Sequence, residues 1–187
     1  AKAAVEKEDY AEAKELLLRA VGEYPHNLGE GKLESGQENN LYYLLGLVQE
    51  KLGEAKDAFE SLTRACCGES EPVGMMYYND QPPEMIYYQG LAYRMLGEEE
   101  QAVRRFQKLV DYGREHIRDD VKIDYFAVSL PDLLIFEENL NERNRKHCLF
   151  MMSLGLKGLG RIDEAEKCAE ELLAMDNAHQ EIRVHDL

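Results

Sequence analysis

One spacing recurs along this chain and leaves few folds open to it. In Glu84–Val110, EMIYYQGLAYRMLGEEEQAVRRFQKLV, the residues Ile86, Gly90, Tyr93 and Met95–Leu96 return at helical intervals. Gly97 interrupts them, and Ala102, Phe106 and Leu109 then return at helical intervals again. A helix turns once in about 3.6 residues, so each half carries its apolar groups on one stripe. Gly90 and Ala102 are small among large neighbours, which lets two antiparallel helices approach closely. Gly97 stands where a helix ends in a left-handed residue. The stretch predicts a helical hairpin.

The same pattern occurs elsewhere. Asn39–Ala65 contains Gly46, Gly53, Ala58 and Ala65 at matching places. Lys146–Asn177 contains Ser153, Gly160, Ala165 and Leu172. At the N-terminus Ala13, Leu17, Ala20 and Pro25 supply only the second helix of such a hairpin in full. This internal repetition resembles the tetratricopeptide repeat (TPR), in which a small residue, a turn Gly, Ala, a large apolar residue and Ala follow in register. The resemblance implies an all-α fold: antiparallel helical hairpins stacked as a right-handed TPR-like solenoid, about three and a half repeats with long inter-repeat insertions.

Distances between turn positions expose those insertions. Glu8 to Gly53 is 45 positions, Gly53 to Gly97 is 44, and Gly97 to Gly160 is 63. Against a period of about 34 residues, the excesses are about 11, 10 and 29. The reading is a single array over residues 1–187, with hairpins at about 1–25, 39–66, 83–117 and 141–176 and insertions at about 26–38, 67–82 and 118–140. The first insertion is rich in Gly, Asn and Glu and reads as a loop. The second carries Met75, Met76, Tyr77 and Tyr78 between its Gly and Pro residues, and these four are apolar enough to pack back on the array. In the third, Ser129 and Pro131 suit a helix start, with a short helix from Pro131 to about Glu138. Tyr125, Phe126, Leu133, Leu134, Ile135 and Phe136 there either cap a flank of the array or contact a partner, because apolar surface left in water costs about 25 cal/mol per Å².

Composition narrows the function. The apolar fraction of 44% suffices for a continuous core. A net charge of −15 argues against nucleic acid and against an anionic membrane surface, both of which need clustered Lys and Arg. It suits a solvated outer face. The longest apolar run, Cys148–Leu156, is far short of the ~20 residues that a bilayer requires. Cys66, Cys67, Cys148 and Cys168 read as reduced thiols of a cytoplasmic protein, used as small hydrophobes. Cys66 and Cys67 are adjacent and make no ordinary disulfide, and His147 beside Cys148 is too little for a metal site. The chain lacks a starting Met, and Ala1 falls inside what should be a first helix. The reading therefore expects a longer parent chain on the N-terminal side.

The run KIDYFAVSLPDLLIFEENLNERN, followed by a repeat opening in HC, is similar to the C-terminal repeat region of a family of large bacterial proteins of unknown function. That resemblance covers about Asn39 to Gln180 and implies an upstream β-rich domain suggestive of carbohydrate handling. It carries over no catalytic residue. Nor does the chain offer one of its own. GxSxG, HExxH, P-loop and GxGxxG motifs are missing. Glu98 with Glu99 and Glu137 with Glu138 are sequence neighbours that diverge on a helix, unlike a converging glycosidase pair. The reading is of a non-enzyme without cofactor or metal.

Binding is the remaining chemistry. In the TPR family the first helix of each pair lines a concave groove. The residues offset from the core stripe are Tyr43, Leu47 and Glu50, then Tyr87, Leu91 and Arg94, then Phe150, Leu154 and Lys157. Aromatics and Arg anchor peptides. Relatives that clamp a C-terminal carboxylate use Lys and Asn where this chain has Tyr43, Leu47, Tyr87 and Leu91, which argues against a chaperone-tail clamp. The doublets Tyr42–Tyr43 and Tyr87–Tyr88 leave open which tyrosine packs between hairpins and which lines a groove. Two functions follow. One is a protein-interaction module that holds a peptide or helix in the groove. The other is a structural or oligomerisation module, with the parent's own upstream domain or a second copy as partner.

Overall fold

The computed structural model describes residues 1–22, 36–74, 80–122 and 139–184. All regular structure among them is helical: α1 Lys2–Glu6, α2 Tyr10–Gly22, α3 Asn39–Lys51, α4 Ala55–Ala65, α5 Pro83–Met95, α6 Glu99–His116, α7 Leu140–Gly158, α8 Ile162–Met175 and α9 Gln180–Val184. The protein is an all-α assembly of helical hairpins. The expectations for Met75–Tyr78, for Tyr125, Phe126 and Leu133–Phe136, and for a helix from Pro131 to Glu138 lie outside the described residues.

Four turns share one backbone geometry. Gly53, Gly97 and Gly160 have φ of 78°, 80° and 75°, and Glu8 has φ of 58°. In each, the left-handed residue donates to the carbonyl three back: Glu8 to Val5, Gly53 to Glu50, Gly97 to Arg94, Gly160 to Lys157. The next residue donates to the carbonyl five back: Asp9 to Ala4, Glu54 to Gln49, Glu98 to Tyr93, Arg161 to Leu156. This is the Schellman arrangement, which satisfies the orphan carbonyls at a helix end and reverses the chain.

Side chains bridge the two helices of three hairpins in the order that an antiparallel pair requires. At the start of α3, Asn39 Nδ2 donates to Ala65 O at 2.8 Å and Cys67 O at 2.7 Å, at the end of α4. Nearer the turn, Ser61 Oγ donates to Gln49 Oε1 at 2.7 Å. In the next pair Arg105 Nε donates to Gln89 Oε1 at 3.1 Å, and Arg94 pairs with Glu99 across the turn. In the last pair Arg145 reaches Glu171. Gly46 lies so close to α4 that a Cβ there would meet Leu62 Cγ at 2.6 Å.

The chain packs into two compact units: Ala1–Glu71 with Glu84–Arg105, and Pro72–Pro83 with Phe106–Leu187. In the first, Ala4, Ala13, Leu17, Leu44, Leu45 and Val48 form a core flanked by Tyr10, Tyr43 and Leu47. A second cluster gathers Leu62, Ala65 and Ala92, flanked by Tyr42, Tyr43, Cys66, Met95 and Leu96. In the second unit α7 is buried on nearly every side from Cys148 to Leu156, as a helix in the centre of a core must be. It touches the α6 backbone directly: a Cβ on Gly155 would lie 2.5 Å from Phe106 O. Asn139 starts α7 by accepting the amide of Glu142 at 3.2 Å, and Pro83 supplies a first-turn proline for α5.

Candidate functional site

The face nominated by the sequence is densest in the first unit, on α3 and α5. Tyr43, Leu47 and Glu50 occupy one side of α3, spaced by four and three residues, and Tyr87, Leu91 and Arg94 repeat that spacing on α5. The two helices meet through tyrosine rings. The Tyr43 and Tyr88 centroids are 5.5 Å apart, tilted by 45°, and those of Tyr87 and Tyr88 are 5.8 Å apart, edge to face. Both are favourable arrangements of the ring quadrupoles. Lys2 Nζ, on α1, donates to the Tyr88 hydroxyl at 3.4 Å. Arg94 holds Glu99 with two donors, Nε to Oε2 at 2.9 Å and Nη2 to Oε1 at 2.7 Å.

Electrostatics ties the same residues together. Burial raises the Tyr43 hydroxyl above its ordinary pKa, Arg94 pulls it down and Glu50 pushes it up. Burial pushes Tyr87 up to about 12, with Tyr43 adding and Arg94 opposing. Tyr88 is also pushed up, by burial first and then by Tyr87, Tyr43 and Glu84. All three phenols therefore stay protonated at neutral pH, and the Tyr88 hydroxyl oxygen accepts from Lys2. Burial lowers the Lys2 ammonium, which Glu6 and Glu84 partly offset.

The nominated residues differ in access. Tyr43, Leu47, Leu91 and Lys157 are half-buried, and Glu50 and Arg94 are exposed. Tyr87 is 5% exposed, Phe150 4% and Leu154 2%. Phe150, in the second unit, lies with its ring centroid 5.5 Å from that of His179, just before α9. The residues brought together are thus Tyr43, Glu50, Tyr87 and Arg94, with Lys2, Glu84 and Tyr88 added by the fold. Tyr88 was legible as one of a doublet. Lys2 carried no sequence signal, because the hairpin to which it belongs had no legible first helix.

Among the described residues, no group of three or more His, Cys, Asp or Glu is placed to hold a metal ion. The four cysteines are free thiols. Burial pushes Cys66 and Cys148 each up to about 12, so both remain protonated and serve as small apolar groups. No helix among the described residues is long and apolar enough to cross a membrane.

Comparison with known proteins agrees with the local geometry. Residues 84–112, the α5–α6 hairpin, match a family model described as a tetratricopeptide repeat. A solved structure titled "Crystal structure of MamA" is similar at 18% identity, covering 95% of each chain, with a TM-score of 0.24. At that score the overlay carries no weight, and the fold rests on the helices and turns described above.

Proposed function

We propose that this protein is a protein–protein interaction module that holds a peptide or a helix against the first helices of its hairpins. The observation that carries this reading is the α3–α5 face. There Tyr43, Leu47 and Leu91 offer half-buried apolar surface, beside exposed charges of both signs on Glu50 and Arg94. Apolar anchors that are partly sheltered, with charges at their edge, are what a short peptide needs in order to bury side chains and fix its direction. Tyr87 and Tyr88 support the face from beneath. They set the spacing of α3 and α5, and the Tyr43 hydroxyl donates to a ligand carbonyl.

Selection of random dodecapeptides displayed on phage, using the full chain as bait, tests the proposal. Peptides recovered on the native chain are expected to lose at least tenfold affinity for a Leu91→Ala, Arg94→Ala double variant whose helicity by circular dichroism is unchanged. Undiminished affinity in that variant counts against the α3–α5 face. The competing occupant is a second copy of the chain, and light scattering of native and double-variant protein distinguishes it: a dimer that dissociates on substitution assigns the face to self-association.

A further inference from the structure

The α3–α5 face sets carboxylates beside its apolar residues. Along α5, Glu84, Tyr87, Leu91 and Arg94 follow at helical spacing, and along α3 Tyr43, Leu47 and Glu50 do the same. The charge of Glu50 acts on the Tyr43 hydroxyl and that of Glu84 on the Tyr88 hydroxyl, so both carboxylates lie near the tyrosines. Helix α1 adds Glu6, one turn after Lys2 on the same side. All of these residues belong to the first compact unit.

Among the described residues, the cations beside these groups are Lys2 and Arg94, and each already has partners. Arg94 holds the Glu99 carboxylate with two donors, at 2.9 Å and 2.7 Å, and the pair contributes no net charge. Lys2 Nζ donates to the Tyr88 hydroxyl at 3.4 Å, and Glu6 and Glu84 both favour its charged form. Glu6 and Glu50 stand exposed. The balance at the edge of the apolar surface is therefore negative, the sign of the whole chain at −15. Like charge across an interface repels a wrong partner, and opposite charge speeds the encounter and fixes its register. We infer that the segment held on α3 and α5 is a basic amphipathic peptide, with Lys or Arg flanking its apolar residues and lying beside Glu50 and Glu6. This rests on the reading of α3–α5 as a peptide-binding face and adds the chemistry of what fills it.

The test uses the full chain and two fluorescein-labelled synthetic dodecapeptides with leucines at the same positions, one carrying Lys and the other Glu at the positions between. Fluorescence anisotropy at about 0.15 M salt, where distant charges are screened, is expected to show the Lys peptide binding at least tenfold more tightly. A Glu6→Gln, Glu50→Gln double variant should lose at least fivefold of that affinity. An Asp57→Asn, Glu60→Gln double variant changes the net charge equally at exposed positions of α4, and should lose less than twofold. Circular dichroism confirms that both variants keep their helices. Equal losses in the two variants would mean attraction by net charge alone and would overturn the inference. Equal binding of the two peptides, with both weakened by Leu91→Ala, also overturns it but leaves the peptide-binding face standing. Binding of neither peptide overturns it as well, and the face falls with it if phage selection recovers no peptide.

Discussion

Glu8 holds the left-handed backbone that Gly53, Gly97 and Gly160 hold in the other turns, with φ of 58° on a side chain that carries a Cβ. A left-handed L-residue costs about 1–2 kcal/mol, and glycine avoids that cost while losing more chain entropy on folding. Glu8 is exposed and ends its turn with the same two hydrogen bonds as the glycines. Glu8→Gly is therefore expected to stabilise the protein by about 0.5–1 kcal/mol, read as a rise of about 2–4 °C in Tm. Gly97→Ala should do the reverse by about 1 kcal/mol or more, since a methyl group there meets open space and the loss is purely conformational. A thermal melt of the two variants beside the native chain checks both signs. The turns were legible at this scale because glycine is a direct readout of left-handed backbone. The roles within Tyr87–Tyr88 were not, because two adjacent tyrosines differ only in what the neighbouring helix brings against them.

Between elements, close approach decides the energetics. A Cβ on Gly158 would run into the ring of Phe106, which is itself fully buried. Gly158→Ala is expected to destabilise the protein by about 1–3 kcal/mol through overpacking, whereas Gly22→Ala, with nothing within 4 Å, should be neutral or slightly stabilising. Urea unfolding of both variants separates space from helix propensity. The sequence pointed to Ser153 as the small residue of α7, and the fold also uses Gly155 and Gly158 against α6. Which glycine meets a neighbour depends on the rotation of α7 about its axis, and a helix apolar on every side does not encode that rotation. A second element-scale prediction concerns pH. Burial lowers the pKa of His147 below its ordinary 6.5; Arg143 also lowers it, while the bond to Val73 and the charge of Asp80 oppose the shift. Above pH 6.5 the ring is neutral in both folded and unfolded chains, and its contribution to stability is complete. As pH falls through 6.5 towards the lowered folded value, the unfolded chain takes up a proton that the folded chain does not, and stability is lost. Between pH 7 and 5 the native chain is expected to lose more stability than His147→Gln, as measured by chemical denaturation at each pH; parallel losses would contradict this.

For the whole molecule, 37 acidic against 22 basic residues put a net charge of −15 on one small chain. Much of that charge stands on exposed helix faces, where ion pairs such as Arg161 with Glu164 offset it only locally. Self-repulsion of this kind is screened by salt, with a Debye length of about 30 Å at 0.01 M and about 8 Å at 0.15 M. Raising the ionic strength across that range is expected to raise Tm, and a fall would show that attractive pairs dominate instead. Packing into two compact units, with Pro72–Pro83 counted in the second while its flanks belong to the first, also emerges only at this scale. The contact that marks it, Val73 with His147, joins residues 74 positions apart and involves a backbone oxygen, which no side-chain pattern announces.

What the sequence by itself determined is the helical class and the turns: periodicity makes stripes, and glycine or a tolerated Glu8 permits left-handed reversal. Both are local properties, written within a few residues of where they act. Only the tertiary structure decided which side of each helix is covered. Tyr88 meets Tyr43 and Lys2, Asn39 and Gln89 hold the carbonyls that follow α4, and His147 meets the segment before α5. Those choices come from burial of one helix against another, where the free energy depends on the pair and not on either sequence alone.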